Sequence, residues 1–250
     1  MILAISAFAA LVSMGGAPKA SILLGKGETE QAEKVVGSCT WMLLLLSVLL
    51  TGIMLAFGRP ILLLFGASTD TISYAADYMN IYCLGTVFTQ LTLGLNAFIT
   101  AQGFSLIGML SVVIGAVINI ALDPILIYAC SLGVKGAAIA TVVSQAASAV
   151  WVVSFLLGKK TVLKIRLKYF KVSLASYLPC VALGLSPFIM QFTESALIVS
   201  FNVSLYKYGG DMAVGVMTVL SSVMQFAMLP LQGLTQGAQP IVSYNFGAGN

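Results

Sequence analysis

The sequence predicts an all-α, polytopic membrane protein with about seven transmembrane helices, and three observations carry that expectation. Hydrophobic residues make up 59% of the chain and charged residues only 8%, where a soluble domain carries about 25% charged. Apolar runs long enough to cross a hydrocarbon layer of ~30 Å recur from end to end. The 12 basic residues are unevenly spread, with Lys159, Lys160, Lys164, Arg166, Lys168 and Lys171 crowded into one short loop. The net charge of +4 therefore points to neither nucleic acid nor an acidic substrate. No histidine is present, which removes the commonest metal ligand and general base. Cys39, Cys83, Cys130 and Cys180 each lie in or at the end of an apolar run. They read as small buried hydrophobes, not as disulfides or metal ligands.

Met1 opens directly into an apolar run without the charged n-region of a signal peptide. The first run is Ile2 to Met14; Gly15, Gly16 and Pro18 punctuate its end, with a bent continuation to Leu24. A polar loop, 25–34, leads into the next helix, with Thr29 as its cap and Glu30 and Glu33 in its first turn. Val35 to Phe57 spans a bilayer at ~1.5 Å per residue. Gly58-Arg59-Pro60 is expected to turn the chain, and Ile61 to Phe65 is too short to span. Ser68, Thr69 and Asp70 are cap candidates for a long helix from Thr71 to Gln102, with Asp77 at headgroup depth near its start. Gly103 to Ser105 is a tight turn. The helix through Asp123 ends near Cys130. Val134 to Gly158 is dense in small residues, which let helix backbones approach closely in lipid. Lys159–Lys171 is the basic loop. Val172 to Leu205 contains Pro179 and Pro187; Tyr206 to Asp211 is a turn; Ala213 to Tyr244 contains Pro230 and Pro240.

The positive-inside rule orients these spans. With the Lys159–Lys171 loop in the cytoplasm, Lys19, Lys26 and Lys34 fall on the same side. Of the 12 basic residues, only Arg59, Lys135 and Lys207 are then outside.

Asp123 is the first candidate functional residue. It sits in a stretch otherwise apolar for a membrane's thickness, four residues after Asn119 and so on the same helix face. An ionised Asp at the bilayer centre costs roughly 3 kcal/mol. Such a group persists where it faces a bundle interior or a wet cavity. Pro124 beside it removes a backbone donor and bends the helix. Two readings stay open: an ion or proton site, and a structural carboxylate bonded to a neighbouring helix.

Further along, Gln191, Glu194, Ser195 and Asn202 fall within about 100° of arc on one helix. Thr218, Ser221, Gln225, Gln232, Gln236 and Gln239 form a similar sector on the next. Polar stripes cannot face lipid cheaply. They line a water-filled cavity or bond to each other between helices, and an acid in one stripe favours the cavity. Met190, Met217, Met224 and Met228 nearby suit a tolerant binding surface or ordinary packing.

An internal repeat is also visible. Gly15, Pro18, Ser21, Gly25 and Gly27 recur as Gly237, Pro240, Ser243, Gly247 and Gly249 at a constant offset of 222 residues. An even number of spans separates the copies, so they share one orientation. Parallel repeats about an axis along the membrane normal follow, as in some secondary transporters. With a unit of about six helices, residues 1–158 hold helices two to six of the first repeat. Residues 172–250 hold the first two of the second. Both ends of the chain then read as cut.

Several stretches resemble one family. They are Asn96-Ala-Phe-Ile-Thr-Ala-Gln-Gly103, Asn119-Ile-Ala-Leu-Asp-Pro124, Gly133-Val-Lys-Gly-Ala-Ala-Ile-Ala-Thr141, and 236–249, Gln-Gly-Ala-Gln-Pro-Ile-Val-Ser-Tyr-Asn-Phe-Gly-Ala-Gly. The chain resembles the multidrug and toxic compound extrusion (MATE) transporters over nearly its whole length, within the Firmicutes-type drug-efflux branch. The resemblance implies a twelve-helix fold of two six-helix lobes around a central cavity. It implies export of cationic, amphipathic compounds in exchange for H+ or Na+, at a bacterial plasma membrane, by a protein that is a monomer when full-length and needs no cofactor. It assigns Asn119, Asp123 and Thr141 to an ion or proton site and Glu194 to a second coupling acid, with Na+ at Asp123 or Glu194 as one form of the coupling. The stripe residues Gln191, Asn202, Ser221, Gln225, Gln232 and Gln236 become cavity candidates, and Pro124, Pro179 and Pro187 hinge candidates. Residues 1–158 become the N-lobe without its helix one, 159–171 the inter-lobe loop, and 172–250 the start of the C-lobe.

Three other functions compete. An exporter of a lipid-linked saccharide needs cations for phosphate, and no Lys or Arg sits at mid-span. A membrane-embedded enzyme needs a nucleophile–base pair or metal set at depth, and the two deep acids lie on different helices. A structural membrane subunit needs no polar stripes.

Overall fold

The computed structural model describes residues 2–64, 72–170 and 174–249, and among these every regular element is helical. The elements are α1 (Ile2–Gly25), α2 (Thr29–Leu64), α3 (Ile72–Leu84), α4 (Thr86–Ala101), α5 (Ser105–Pro124), α6 (Gly133–Leu157) and α7 (Leu174–Ala248). A five-residue π turn, Ile125–Ala129, extends α5. Six helical stretches are long and apolar enough to cross a membrane, and counting the bent pair α3–α4 as one span makes seven.

α1 is the central helix. It packs on α7, α4 and α2, and it is the most buried of the candidate spans. Pro18 lies inside it without ending it, and the continuation expected to Leu24 runs to Gly25. Its own Val12, and Val36, Leu43, Leu95, Phe98 and Ile99 around it, have no exposed surface. α6 closes the far side through α5, α4 and α3. Its small residues act as expected: Ser148 donates to the Ser111 carbonyl at 2.8 Å, and Ala138, Ala140 and Ala149 are buried. The expectation of buried thiols holds for Cys39, Cys83 and Cys180, whereas Cys130 is exposed beyond the π turn.

Several expected boundaries move. α2 continues through Gly58-Arg59-Pro60 instead of turning there. The extra turn packs Ile61 and Leu62 against the cluster of Met54, Met79 and Cys83, and the Met79 side chain lies on Gly58. That burial outweighs the one helix bond a proline removes. Thr29 is already the first helical residue, and the Glu28 carbonyl accepts from Ala32 N at 3.1 Å. The single long helix expected over 71–102 is two, bent by 58° at Gly85. The Thr51 hydroxyl donates to the Cys83 carbonyl at 2.9 Å beside that bend, and the Val142 side chain occupies the space a Cβ at Gly85 would need. The turn expected over 206–211 is helical except at Gly210, whose φ of 62° and ψ of −164° break α7 into two arms, Leu178–Leu205 and Met212–Ala248. A side chain is strained at that φ, so glycine makes the corner. Asp77 forms an ion pair with Lys135 at 3.4 Å, both half exposed. Phe65, Ser68, Thr69, Asp70, Lys171 and Val172 lie outside the described residues.

The basic loop is a fixed strap. Gln102 Oε1, just past α4, accepts from the Thr161 hydroxyl at 2.7 Å and from the Val162 and Leu163 amides at 2.9 Å each. Arg166 grips Glu33 of α2 with two bonds of 2.8 and 3.2 Å. Phe170 packs on Trp41 with ring centroids 5.9 Å apart. Gln102→Leu removes an acceptor serving three donors. We expect a loss of about 1–3 kcal/mol of stability and faster tryptic cleavage at Lys159 and Lys160, read by limited proteolysis in detergent.

The closest backbone approaches among the described glycines join α1 to both arms of α7. A Cβ at Gly15 would fall on the Cys180 carbonyl, and one at Gly184 on the Leu11 carbonyl. At the lysine-rich end, a Cβ at Gly25 would fall on the Tyr244 carbonyl and one at Gly247 on the Ile22 carbonyl. Ile22 and Tyr244 are 222 residues apart, as are Gly25 and Gly247. The contact is therefore reciprocal, the pattern that a two-fold relation between matching surfaces produces.

Candidate functional site

Where the two arms of α7 cross α1, α4 and α5, they leave a cavity of about 360 Å³. From α1 it takes Ser6, Ala10, Ser13, Met14, Ala17, Pro18 and Ser21. Positions 6, 10, 13, 17 and 21 are three or four residues apart, with 14 and 18 beside them, so one face of the helix supplies them all. α4 contributes Asn96 and Thr100, α5 Val112, the first arm Gln191, and the second arm Gln236, Gln239 and Pro240. Among the described lining residues there is no Asp, Glu, Lys or Arg. The walls offer hydroxyls, amides, a thioether and small apolar side chains. Part of the polar lining is already engaged. Ser21 donates to the Ala101 carbonyl at 3.2 Å, Asn96 Nδ2 to the Gly108 carbonyl at 3.3 Å, and Thr100 to the Asn96 carbonyl at 3.3 Å. The Asn96 Oδ1 is buried without a partner. Pro240 has no N–H, so the Gln236 carbonyl four residues earlier lacks its helix donor at the same wall.

The structure brings Gln191 and Gln236 together in this lining. Asn202, Ser221, Gln225 and Gln232 are exposed along the two arms and do not line it. Sequence reasoning passed over the hydroxyl face of α1 because Ser and Ala at helical spacing carry little hydrophobic contrast. Asn96 and Thr100 were visible only inside a motif. The stripe position Gln239 does line the cavity.

Neither acid is in its described lining, and Asp123 lies well away from it. Asp123 is half-buried on α5, eleven residues past Val112 and so about 16 Å along the helix from the cavity wall. The Asn119 amide approaches Asp123 Oδ1 at 3.5 Å, a long contact that leaves most of the carboxylate's accepting capacity unused. Pro124 also frees the Ile120 carbonyl one turn back. The π turn beyond re-registers the backbone, with Cys130 N bonded to the Ile125 carbonyl at 2.9 Å. Thr141 of α6 donates to its own helix, at the Ala137 carbonyl, over 2.9 Å. Glu194 is exposed on the first arm, one turn from Gln191. Pro179 and Pro187 lie within that arm and leave it helical.

Six apolar helical spans, or seven with the bent α3–α4 pair, and a neutral polar cavity walled by α1, α4, α5 and the two arms of α7 define a multi-pass membrane protein with an internal solute-sized space. The MatE family model matches residues 1–125. The chain belongs to the MatE family, and it is a protein of the bacterial inner membrane. It is 30% identical to the multidrug export protein MepA of Staphylococcus haemolyticus over 240 residues, 96% of this chain and 53% of that protein. The chain thus spans about half the length of the curated relatives it matches. Its fold superposes on a structure of the MATE multidrug transporter DinF-BH, with a TM-score of 0.92, 32% identity, and coverage of 99% of this chain and 55% of that one. An outward-facing multidrug resistance MATE transporter of the MOP superfamily gives 0.90 at 25% identity, covering 99% of this chain and 55% of that one. The matched proteins are named exporters and transporters, not enzymes.

Proposed function

We propose that the chain forms part of a secondary active exporter that moves small amphipathic cations out of the cell in exchange for H+ or Na+. The observation that carries this reading is a neutral, hydrogen-bonding cavity with no acid in its described lining, while Asp123 and Glu194 lie further along two of the helices that wall it. Asp123, with Asn119 and Thr141, is the candidate site for the coupling ion; Glu194 is the second. An ion bound from the outer face neutralises the carboxylate and favours release of substrate there. Its loss to the cytoplasm restores a charge that favours the cation. Each ligand shifts the equilibrium only by its differential affinity for the two states. Residues 1–158 act as the N-lobe, 159–171 as the link, and 172–250 as the start of the C-lobe, with Pro124, Pro179 and Pro187 as hinges. Asn202, Ser221, Gln225 and Gln232 are offered as walls of the wider cleft. The names of the relatives, which include multidrug export proteins, support the same reading.

Export of a lipid-linked saccharide fits less well, because a phosphate in a cavity without Lys or Arg would be stripped of water without compensation.

The test is resistance. Cells expressing Asp123→Asn should lose resistance to a cationic dye such as acridine orange while the membrane content of the protein stays normal. Resistance equal to the parent's would remove Asp123 from the coupling step.

A further inference from the structure

A second cavity, of about 460 Å³, lies at the lysine-rich end of the bundle, the end that the basic loop assigns to the cytoplasm. Its walls come from both sides of the α1–α7 contact. Leu24, Thr29, Gly103 and Val162 face Ile241, Tyr244 and Asn245 of the second arm.

Two residues, Ala101 and Pro240, line this cavity and the central one alike. They form the partition between the two spaces. The partition is thin, a methyl group and a pyrrolidine ring, but it is held. Ser21, without exposed surface, donates to the Ala101 carbonyl from the central side. The following residue, Gln102, is fixed by the strap. Gln102 lines the outer cavity yet offers a ligand little, because its Oε1 is filled by three donors and its Nε2 donates to the Phe98 carbonyl.

What remains free in the outer cavity is specific. Tyr244 presents a half-exposed ring, and Asn245, whose amide donates to the Ile241 carbonyl at 2.9 Å, keeps its Oδ1 as an acceptor. No charged side chain is among the described lining residues. A compact anion would find no cation here. A planar organic cation with spread-out charge loses little on leaving water and gains the face of the Tyr244 ring.

We infer that this cavity is an entry site on the cytoplasmic side for planar, charge-delocalised organic cations, separate from the central cavity and divided from it by the Ala101–Pro240 partition. The inference rests on the export reading. A solute in the entry site reaches the central cavity when Pro240 and Ala101 part, with no need to return to bulk water.

The test is binding stoichiometry, measured by fluorescence titration of the purified protein with acridine orange. The parent binds two dye molecules per chain. Ile241→Trp fills the outer cavity and lowers the count to one. Tyr244→Leu, which adds no bulk, weakens the second binding step about tenfold and leaves the first unchanged. A count of two that survives Ile241→Trp, with Tyr244→Leu like the parent, overturns the entry site. So does a parent count of one that neither substitution changes, and in that case the central cavity stands. A parent that binds no dye overturns the entry site and the central cavity's binding role together.

Discussion

Gly25→Val and Gly247→Val will each part α1 from the second arm of α7 at the lysine-rich end, and with nearly equal effect. At both positions even a Cβ would land on a backbone carbonyl, Tyr244 in one case and Ile22 in the other. A backbone carbonyl cannot rotate aside as a flexible side chain can, so the helices must separate. Overpacking of this kind costs about 1–3 kcal/mol. That raises the population of the parted state roughly five- to more than a hundredfold. The near equality follows from the reciprocal contact, since each substitution is the other's image at the 222-residue offset. The double variant should fall short of the sum, because helices already parted present no surface for the second side chain to strike. Ser21→Cys reports the outcome, as Ser21 is fully buried just inside this contact. An impermeant maleimide added on the lysine-rich side should label it slowly in the parent and at least about tenfold faster in either valine variant. Equal labelling in parent and variants would mean that the glycine contact does not hold this end closed.

Arg166→Leu will destabilise the protein more than any other single change to the strap. Glu33 is only 6% exposed, and Arg166 meets it at 2.8 and 3.2 Å in a two-pronged ion pair. Removal of the guanidinium leaves a carboxylate out of water with its main partner gone. Breaking a buried pair costs about 3–5 kcal/mol. Arg166 is itself 48% exposed, so water reaches the gap and the expected loss is nearer to about 2–3 kcal/mol. In a chain of this size that is a fall in Tm of about 5–10 °C. The second arm of the experiment separates a charge effect from lost packing. Glu33→Leu combined with Arg166→Leu removes both charges and should recover most of the loss. If the double variant melts no higher than Arg166→Leu alone, the ion pair is not what anchors the strap.

The 59% hydrophobic content and the spacing of the apolar runs were enough for the all-α, multi-pass fold. Lipid leaves a spanning backbone few choices besides a helix. Gly103 as a turn, the loop from Lys159 (α6 ends at Leu157) and the helix end near Cys130 were likewise legible, because their signals are local. Pro60 was misleading, a local breaker whose cost is outweighed by packing on a distant helix at Met79. The bend at Gly85 has the same origin, since Thr51 and Val142 act there from other helices.

The site divides in the same way. The chain alone marked Asp123 and Glu194 as acids in apolar surroundings and Gln191 and Gln236 as members of polar stripes. It also carried the repeat at offset 222 that makes the glycine contact reciprocal. What it could not supply was which stripe residues meet. Helical periodicity fixes the angle of a side chain about its own axis and says nothing of the neighbour it faces. Only the crossing of α1 with two arms of α7 brings Ser13, Asn96, Gln191 and Gln236 to one cavity, leaves Gln225 and Gln232 outside it, and sets Ala101 against Pro240 between two spaces.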